Sequence, residues 1–455
     1  MPKYVLTYFN ARARAELSRL ALVYAGADWE DKRVQGETWQ ELKPNSQLKF
    51  LPELSVEGGY RLSESTVMAQ YIADKHNFGG SNAEERGLVC MIVKHLDDLF
   101  TNIVKAHFEK DEAKKAELVT ELGEKHIPNT LTNLEQIAKA NDKGVLVGDK
   151  ITTADLQLHN VAFMLLGKKD TALDAYPALK AINAKVIAVP SIAAWLGSRP
   201  ESQFAKELKA DLFPWTVIGS HFLSANSQLQ VSKLFSESCF SPLPTGDMSQ
   251  KYILNYFNGR GRGEICRLAL VYAEADWEDK RIPFDEWPAV KPTTQLSFLP
   301  ALLTNDGKFE LSESTVIPQY IAETCGFGGA NAEERSRIAM IVKYMDDLFA
   351  KIAKAHFEKN EDTKAELTKD LQEKQIPPVF KNLEKLGKDN GNDVFVGSGI
   401  TVADLLLQNI VYVVTSEKLN CNILEEYPTL KGVYEKVVAV PAIKGWLDTR
   451  PDTPF

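Results

Sequence analysis

Hydrophobic and polar residues alternate along the first part of the chain in the pattern of a small mixed sheet. Residues 3–9 alternate with the period of two that is typical of a strand, and the apolar residues of 14–24 then fall at helical spacing. The predicted elements are strands at 3–9, 29–34, 51–56 and 60–62, and helices at 14–24 and from 65 to about 77, with a further helical turn near Trp39. The order β-α-β-β-β-α predicts a sheet with helices packed against it.

From Ala83 onward the pattern changes to long amphipathic helices. The stretch 84–109 places its apolar residues at three- and four-residue steps, which is the spacing of one helix face. Thr152 and Asp155 have the spacing of a capping box, with Asp in place of the usual Glu, so a helix is predicted to begin there. This half of the unit is therefore predicted to be a helical domain.

The whole pattern occurs twice. LALVYAGADWEDKR at 20–33 returns as LALVYAEADWEDKR at 268–281, and LSESTV at 62–67 returns at 311–316. The chain is therefore a tandem duplication. We predict a small α/β domain at 1–79 and a helical domain at 80–204 in copy 1, a linker at 205–247, and the same two domains at 248–328 and 329–455 in copy 2.

The segment 205–247 matches neither copy. It carries apolar residues such as Leu212, Phe213 and Trp215, which a flexible Gly/Ser spacer would lack. Met248 then restarts the pattern that begins the first copy. We interpret the segment as a seam between two coding units, joined either by evolution or by gene prediction.

Composition narrows the classes of function. The hydrophobic share of 44% and the charged share of 25% are typical of a folded globular protein. A net charge of -9 gives no basic surface for nucleic acid or an anionic membrane. The five cysteines have no metal-ligand spacing, and no apolar run of about 18 residues occurs. We expect a cytoplasmic protein that acts on small molecules, without a metal.

Each copy has a candidate site at the end of its first strand. Tyr8 and Tyr256 end that strand, and Arg14 and Arg262 open the helix that follows. The unpaired amides and the dipole of a helix start favour an anion, and a phenol there can donate a hydrogen bond to a thiolate. A tyrosine that merely packs in the core would give the same pattern, so this feature alone is weak evidence.

The motif LSES supplies a second polar element before the next helix. Ser65 and Ser314, with the helix-start amides, suit a carboxylate, and the preceding Glu64 and Glu313 suit an ammonium group. As an isolated motif it is equally an ordinary helix cap. The combination in order of strand Tyr, helix Arg, a loop with Trp and Lys, Leu-Pro and Glu-Ser is more specific.

In this combination the chain resembles the glutathione transferases, over almost the whole of both copies. Among them it is most similar to the sigma class, which includes glutathione-dependent prostaglandin D synthases and the lens S-crystallins. The resemblance rests on YFNARARAELSRL and YFNGRGRGEICRL, on FLPEL and FLPAL, on the paired LDD and MDD, and on the capping boxes at Thr152 and Thr401. It implies a thioredoxin-like N-terminal domain and an all-helical C-terminal domain in each copy.

The resemblance also implies a reaction and its residues. Tyr8 and Tyr256 would stabilise the thiolate of glutathione, a co-substrate, for attack on an electrophile; no other cofactor is implied. The residues that would hold the tripeptide in copy 1 are Arg14, Trp39, Lys43, Leu51, Pro52, Glu64 and Ser65, with Leu51 using its backbone before a cis proline. Those in copy 2 are Arg262, Trp287, Lys291, Leu299, Pro300, Glu313 and Ser314. Asp97 and Asp346 would reach across a dimer interface to the partner's glutathione.

The chain departs from the prostaglandin synthases at two positions in each copy. Lys105 and Lys354 stand where those enzymes have a Trp in the acceptor pocket. Lys94 and Lys343 stand where they have an acidic residue associated with metal activation. We therefore expect conjugation of apolar electrophiles, with reduction of lipid hydroperoxides as an extension, rather than dedicated prostaglandin isomerisation.

Several alternatives stay open. A structural protein like the S-crystallins, or a carrier of hydrophobic ligands, would keep the fold without useful turnover. Ala11 and Ala13 of copy 1 correspond in sequence to Gly259 and Gly261 of copy 2. This difference beside the candidate site predicts different acceptor preferences for the two copies. The two copies are expected to pair as a pseudo-dimer within one chain or to form a homo-oligomer. Among the cysteines, Cys266 and Cys325 are candidates for exposed thiols.

Overall fold

The computed structural model describes residues 2–166, 171–200, 251–304, 307–416, 419 and 421–453. The chain divides into two compact units, the first built mainly from copy 1 and the second mainly from copy 2. The predicted linker at 205–247, with Leu212, Phe213 and Trp215, lies outside the described residues. Its interpretation as a seam and the exact domain boundaries therefore stay predictions.

A four-stranded sheet forms the first domain of copy 1, in the order β2-β1-β3-β4. β1 runs parallel to β2, with Tyr8 opposite Arg33, and antiparallel to β3. The elements are β1 (Tyr4–Phe9), α1 (Glu16–Tyr24), β2 (Trp29–Val34), α2 (Gly36–Leu42), β3 (Glu53–Val56), β4 (Arg61–Ser63) and α3 (Ser65–Lys75). This thioredoxin-like arrangement confirms the predicted mixed sheet and the helical turn at Trp39.

The core of this domain lies between the sheet and the helices α1 and α3. Alternate residues of β1 are buried, so Tyr4, Leu6 and Tyr8 share the face that looks into the core. Leu54 and Leu62 of the neighbouring strands are fully buried with them. Tyr8 therefore occupies the last core position of the central strand, next to the turn that leads into α1.

Two boundaries differ from the prediction for local reasons. The helix predicted at 14–24 opens with a 3-10 turn, Ala13–Ala15, and becomes an α-helix only at Glu16. The hairpin strand begins at Glu53 rather than at residue 51, because Pro52 has no amide hydrogen for the ladder. The Leu51–Pro52 and Leu299–Pro300 peptide bonds are both cis, which confirms the prediction of cis prolines.

The second domain of copy 1 is helical, as predicted. Its helices are α4 (Ala83–Phe108), α5 (Glu112–Glu121), α6 (Ile127–Asn141), α7 (Thr153–Leu166), α8 (Pro177–Ile187) and α9 (Pro190–Ser198). α7 is the central helix, since it packs against α1, α4 and α8. The amide of Thr152 donates to Asp155 Oδ2 at 2.8 Å, and Asp155 Oδ1 accepts from the amide of Leu146 at 2.8 Å. The predicted capping box therefore also ties down the preceding loop.

Copy 2 repeats this architecture, with the sheet order β6-β5-β7-β8. Its strands are β5 (Tyr252–Phe257), β6 (Trp277–Ile282), β7 (Ala301–Thr304) and β8 (Glu310–Ser312). Its helices are α10 (Glu264–Tyr272), α11 (Trp287–Val290), α12 (Ile317–Thr324), α13 (Ala332–Phe357), α14 (Glu361–Asp370), α15 (Ile376–Asn390), α16 (Val402–Val414), α17 (Pro428–Val438) and α18 (Pro441–Thr449). The capping box of Thr401 and Asp404 is present at the start of α16.

The start of α12 is one backbone difference between the copies. Helix α3 begins at Ser65, whereas α12 begins at Ile317, three residues after the equivalent Ser314. Pro318 sits in the first turn of α12, and proline is tolerated in a helix only there, because it lacks the amide hydrogen that a later position must donate. The segment that follows Glu313 is therefore a turn in copy 2 and a helix in copy 1.

Among the described helices, none is by itself both long and apolar enough to cross a membrane. The bent pair Pro177–Ile187 and Pro190–Ser198 passes that criterion only when the two helices are counted together.

Candidate active site

The tyrosine at the end of the first strand is buried in copy 1 and partly buried in copy 2. Burial raises the pKa of Tyr8 above its ordinary value, and the amide and guanidinium of Arg14 offset part of this rise. Burial likewise raises the pKa of Tyr256. The hydroxyl oxygen of Tyr256 accepts a hydrogen bond from the amide of Arg262 at 3.0 Å. Since that bond uses a lone pair of the oxygen, the phenolic proton is left to be donated.

A fully buried arginine stands behind each tyrosine ring. The guanidinium carbon of Arg19 lies 6.0 Å from the ring centre of Tyr8, and that of Arg267 lies 5.7 Å from the ring centre of Tyr256. Arg19 is held by Asp31 Oδ1 at 3.0 Å and by the carbonyl oxygen of Ala11 at 2.8 Å. These bonds fix the arginine and with it the loop that carries the site.

In copy 1 the side chain of Arg14 reaches the helical domain. Its Nη1 lies 3.2 Å from Asp97 Oδ1, and its Nη2 donates to Thr101 Oγ1 at 2.9 Å. Its guanidinium also lies 5.6 Å from the ring centre of Phe100. Asp97 is thus engaged within its own copy. Its contact with a partner's glutathione stays a prediction.

In copy 2 the matching arginine makes a different second bond. Arg262 is paired with Asp346, and its Nη1 donates to Ser314 Oγ at 3.2 Å. The residue equivalent to Thr101 is Ala350, which offers no hydroxyl acceptor. The guanidinium of Arg262 therefore turns toward the serine of the Glu-Ser motif, while that of Arg14 does not.

The loop with Trp and Lys lies beside the tyrosine. Trp39 is buried and packs edge-on against Phe9, with 6.4 Å between ring centres. In copy 2, Leu299 belongs to a small hydrophobic cluster against which Tyr256 and Trp287 pack. Lys43 and Lys291 each open a 3-10 turn after this tryptophan, with their side chains exposed to solvent.

The Glu-Ser motif has a strained backbone in both copies. Glu64 and Glu313 have φ values of 74° and 83°, in the left-handed region that side chains other than glycine rarely adopt. Such a conformation costs of the order of 1–3 kcal/mol and persists where the surrounding structure enforces it. The following Ser65 and Ser314 are both buried. The duplication of this outlier marks the motif as more than an ordinary helix cap.

The structure brings the predicted residues together in two groups. In copy 2, Arg262, Ser314 and Asp346 line one cleft, with Phe349 and Leu406 among its apolar walls. Tyr256, Trp287 and Leu299 form the second group. The hydrogen bond from the amide of Arg262 to Tyr256 joins the two groups. Lys291, Pro300 and Glu313 do not line this cleft.

A buried cluster that was not predicted from the sequence joins the two domains of each copy. Glu16 Oε1 accepts from Trp195 Nε1 at 3.2 Å and from Arg199 Nη1 at 2.5 Å. Glu264 repeats this with Trp446 at 2.9 Å and Arg450 at 2.6 Å. Each of these residues has an equivalent in the other copy, so the repeat is the sequence feature that could have identified them. Their partners are nearly two hundred residues apart, which no local pattern reveals.

The two cysteines singled out from the sequence differ in exposure. Cys325 is exposed, as proposed. The proposal for Cys266 was wrong, because it is fully buried on the inner face of α10, and burial raises the pKa of its thiol. Within the described residues, no group of His, Cys, Asp and Glu side chains is placed to hold a metal ion.

Family models match both copies of this architecture. The N-terminal domain of the glutathione S-transferases matches residues 4–74 and 253–323, and the C-terminal domain of the same family matches 97–199 and 346–450. The chain belongs to the glutathione S-transferase family. It is a glutathione transferase in which the complete family unit occurs twice in tandem.

Curated relatives match one copy at a time. A hematopoietic prostaglandin D synthase of Gallus gallus is 34% identical over 44% of this chain and 99% of its own length. The probable glutathione S-transferase 7 of Caenorhabditis elegans is 36% identical over 45% of this chain and 98% of its own. S-crystallin SL11 of Nototodarus sloanii is 31% identical over 45% and 100%. A solved prostaglandin synthase D of Nilaparvata lugens is 31% identical over 45% of this chain and 100% of that one, with a TM-score of 0.41.

Proposed function

We propose that each copy conjugates glutathione to electrophilic, mostly apolar compounds, and that Tyr8 and Tyr256 stabilise the thiolate. The observation that carries this proposal is the state of the phenol. The phenol is largely shielded from solvent, its pKa is raised, and its oxygen already accepts a bond from the amide of Arg14 in copy 1 or Arg262 in copy 2. A protonated phenol with its hydrogen unused is a donor for a sulfur anion, which such a bond stabilises by about 1.5–3 kcal/mol.

The reaction then needs few groups from the protein. The thiol proton leaves to solvent, the sulfur attacks the electrophilic carbon, a carbon–sulfur bond forms, and the bond to the leaving group breaks. The tyrosine acts before the attack, since it raises the share of glutathione present as thiolate. We extend the proposal to lipid hydroperoxides: the thiolate attacks the terminal oxygen, a sulfur–oxygen bond forms, and the oxygen–oxygen bond breaks to release the alcohol. A second glutathione then displaces water from the sulfenic acid to give the disulfide.

The remaining predicted residues support binding of the tripeptide. We propose that Glu64 and Ser65, with Glu313 and Ser314 in copy 2, hold the charged end of the γ-glutamyl group. Leu51 and Leu299 would use their backbones, and Trp39, Lys43, Trp287 and Lys291 would cover the other end. Pro52 and Pro300 would shape the backbone at Leu51 and Leu299. Arg14 and Arg262 add positive charge beside the thiol.

A matched set of variants tests the proposal on the full chain. Tyr8→Phe, Tyr256→Phe and the double variant each remove only hydroxyl groups. Turnover of a chromogenic halonitrobenzene with glutathione should fall in the double variant by roughly ten- to a hundredfold, from the lost bond to a charged acceptor. Retention on immobilised glutathione reports whether the tripeptide still binds. Unchanged turnover in the double variant would show that the phenolic hydroxyl groups do not contribute to catalysis.

Two other functions remain as alternatives. A structural role is suggested by the similarity to an S-crystallin, and negligible turnover in the parent chain together with the double variant would favour it. Dedicated prostaglandin isomerisation is less well supported. Nζ of Lys94 lies 2.7 Å from Oδ1 of Asp98, and Lys343 is paired with Asp347. An ammonium group therefore occupies the position at which metal activation requires a third carboxylate.

We further propose that the protein is cytoplasmic, of the sigma class, and built from four domains at 1–79, 80–204, 248–328 and 329–455. The two copies would pair as a pseudo-dimer, since a two-fold interface between identical units can also form between tandem copies. Light scattering in solution tests the pairing. A mass of one chain is expected, and a mass of two or more would favour pairing between chains.

A further inference from the structure

The ring of Tyr256 lies directly against two glycines, Gly261 and Gly263. A Cβ atom added at Gly263 would lie 2.4 Å from Cδ1 of Tyr256 and 2.6 Å from its Cγ. A Cβ atom at Gly261 would lie 2.7 Å from the hydroxyl oxygen. Carbon atoms that are not bonded pack at about 3.5–4 Å. The ring of Tyr256 therefore fills space that two alanines would occupy.

Copy 1 has those two alanines. Ala13 and Ala15 stand at the positions of Gly261 and Gly263. The backbone is the same in both copies at the first of them, since Ala13 and Gly261 both have a φ of 35°. Ala15 is fully buried. Tyr8 therefore cannot lie where Tyr256 lies: its ring centre is 6.0 Å from the guanidinium carbon of Arg19, whereas that of Tyr256 is 5.7 Å from the guanidinium carbon of Arg267.

We propose that the residue behind the ring, Ala15 in copy 1 and Gly263 in copy 2, is a positioning residue that sets how far the phenol reaches toward the sulfur of glutathione. This inference rests on the proposed function. The Tyr256 ring settles toward the backbone of 261–263, which draws its hydroxyl back from the substrate side. Since a hydrogen bond weakens as its donor–acceptor distance grows, copy 2 stabilises the thiolate less than copy 1 does.

As a consequence, the two copies are active over different pH ranges. Copy 2 needs a higher pH than copy 1 to reach the same share of thiolate. The tandem chain then responds to pH as the sum of two enzymes. A merely structural role of Gly263 would change stability but would not move the ionisation of glutathione in the site.

Single-tyrosine forms of the full chain separate the two sites. Tyr256→Phe leaves copy 1 as the reporting site, and Tyr8→Phe leaves copy 2. The ultraviolet absorbance of the thiolate, titrated against pH with saturating glutathione, gives the pKa of the bound thiol in each. We expect it to be higher in copy 2 by roughly half a unit to one unit, as for partial loss of a bond to a charged group.

The exchange of the positioning residue completes the test. Gly263→Ala in the Tyr8→Phe chain should lower the thiol pKa toward the value of copy 1, and Ala15→Gly in the Tyr256→Phe chain should raise it. Gly445→Ala, which adds a methyl group to open space in α18, is the matched control and should change nothing. If Gly263→Ala fails to fold, as judged by thermal melting, Ala15→Gly decides.

Two results overturn the inference without touching the proposed function. One is an equal thiol pKa in the two single-tyrosine chains. The other is a folded Gly263→Ala or Ala15→Gly chain whose thiol pKa does not move. By contrast, full thiolate stabilisation in the chain that lacks both hydroxyl groups would contradict the proposed function itself.

Discussion

The buried carboxylate of Glu16 should hold the two domains of copy 1 together. Its side chain is 2% exposed, and its partners Arg19 and Arg199 are 0% and 5% exposed. Glu16→Gln keeps the size and one acceptor oxygen but removes the charge. Arg199 then stays buried without a carboxylate among its described contacts, whereas Arg19 keeps its bond to Asp31.

The size of the effect follows from this geometry. Breaking a buried ion pair by removing one partner costs about 3–5 kcal/mol. Because Arg19 retains Asp31 and glutamine can still accept from Trp195, we expect a value near the lower end, about 3 kcal/mol. For a unit of roughly 200 residues, each kcal/mol moves the melting temperature by about 2–4 °C, so Glu16→Gln should lower it by about 6–12 °C.

Differential scanning calorimetry of the full chain measures this. Glu16→Gln should move only the transition of copy 1, and Glu264→Gln only that of copy 2. Glu117→Gln removes an exposed charge from α5 and should cost less than about 0.5 kcal/mol. The reasoning fails if Glu16→Gln lowers the melting temperature no more than Glu117→Gln does, because the cluster would then contribute nothing that a surface charge does not.

Two further predictions concern single titratable groups. Burial raises the pKa of Asp404 to about 6, so the folded chain holds this proton more tightly than the unfolded chain, whose Asp titrates near 3.9. The stability from this group is complete below about pH 4 and is lost as the pH rises through about 6. Melting temperatures of Asp404→Asn should therefore fall less steeply over that window than those of the parent, and equal slopes would show that Asp404 does not titrate there. For the thiols, iodoacetamide should label the exposed Cys325 in the native chain and the buried Cys266 only after unfolding. Peptide mass spectrometry reads both positions, and rapid native labelling of Cys266 would mean that α10 opens readily.

Most of the fold could be predicted because its signals are local and occur twice. The alternation of residues 3–9 indicated the central strand, whereas the hairpin strand predicted from residue 51 begins only at Glu53, after Pro52. The late start of α12 was missed, because Pro318 acts on a helix that the equivalent residues of copy 1 form without interruption. Pro318 alone accounts for the later start of α12, and the sequence pattern that the two copies share gives no indication of it.

The candidate site was predictable where one element supplies neighbouring residues. Tyr8 and Arg14 lie on one strand and the turn that follows it, so their spacing placed them together. The partners of Arg14 in α4 were not predictable, because Thr101 becomes visible as an acceptor only when the two domains are packed. In copy 2 Ala350 replaces Thr101, so Arg262 bonds to Ser314 instead. No single sequence motif indicates this change of partner.

The arginine behind each tyrosine ring has a consequence for the electric field at the site. Arg19 and Arg267 are fully shielded from solvent. Dissolved ions screen charges that they can surround, and these two they cannot approach closely. The electric field that these two arginines exert on the phenol is therefore set by the folded structure and changes little with ionic strength. The exposed Lys43 and Lys291 form the part of the site that salt can screen.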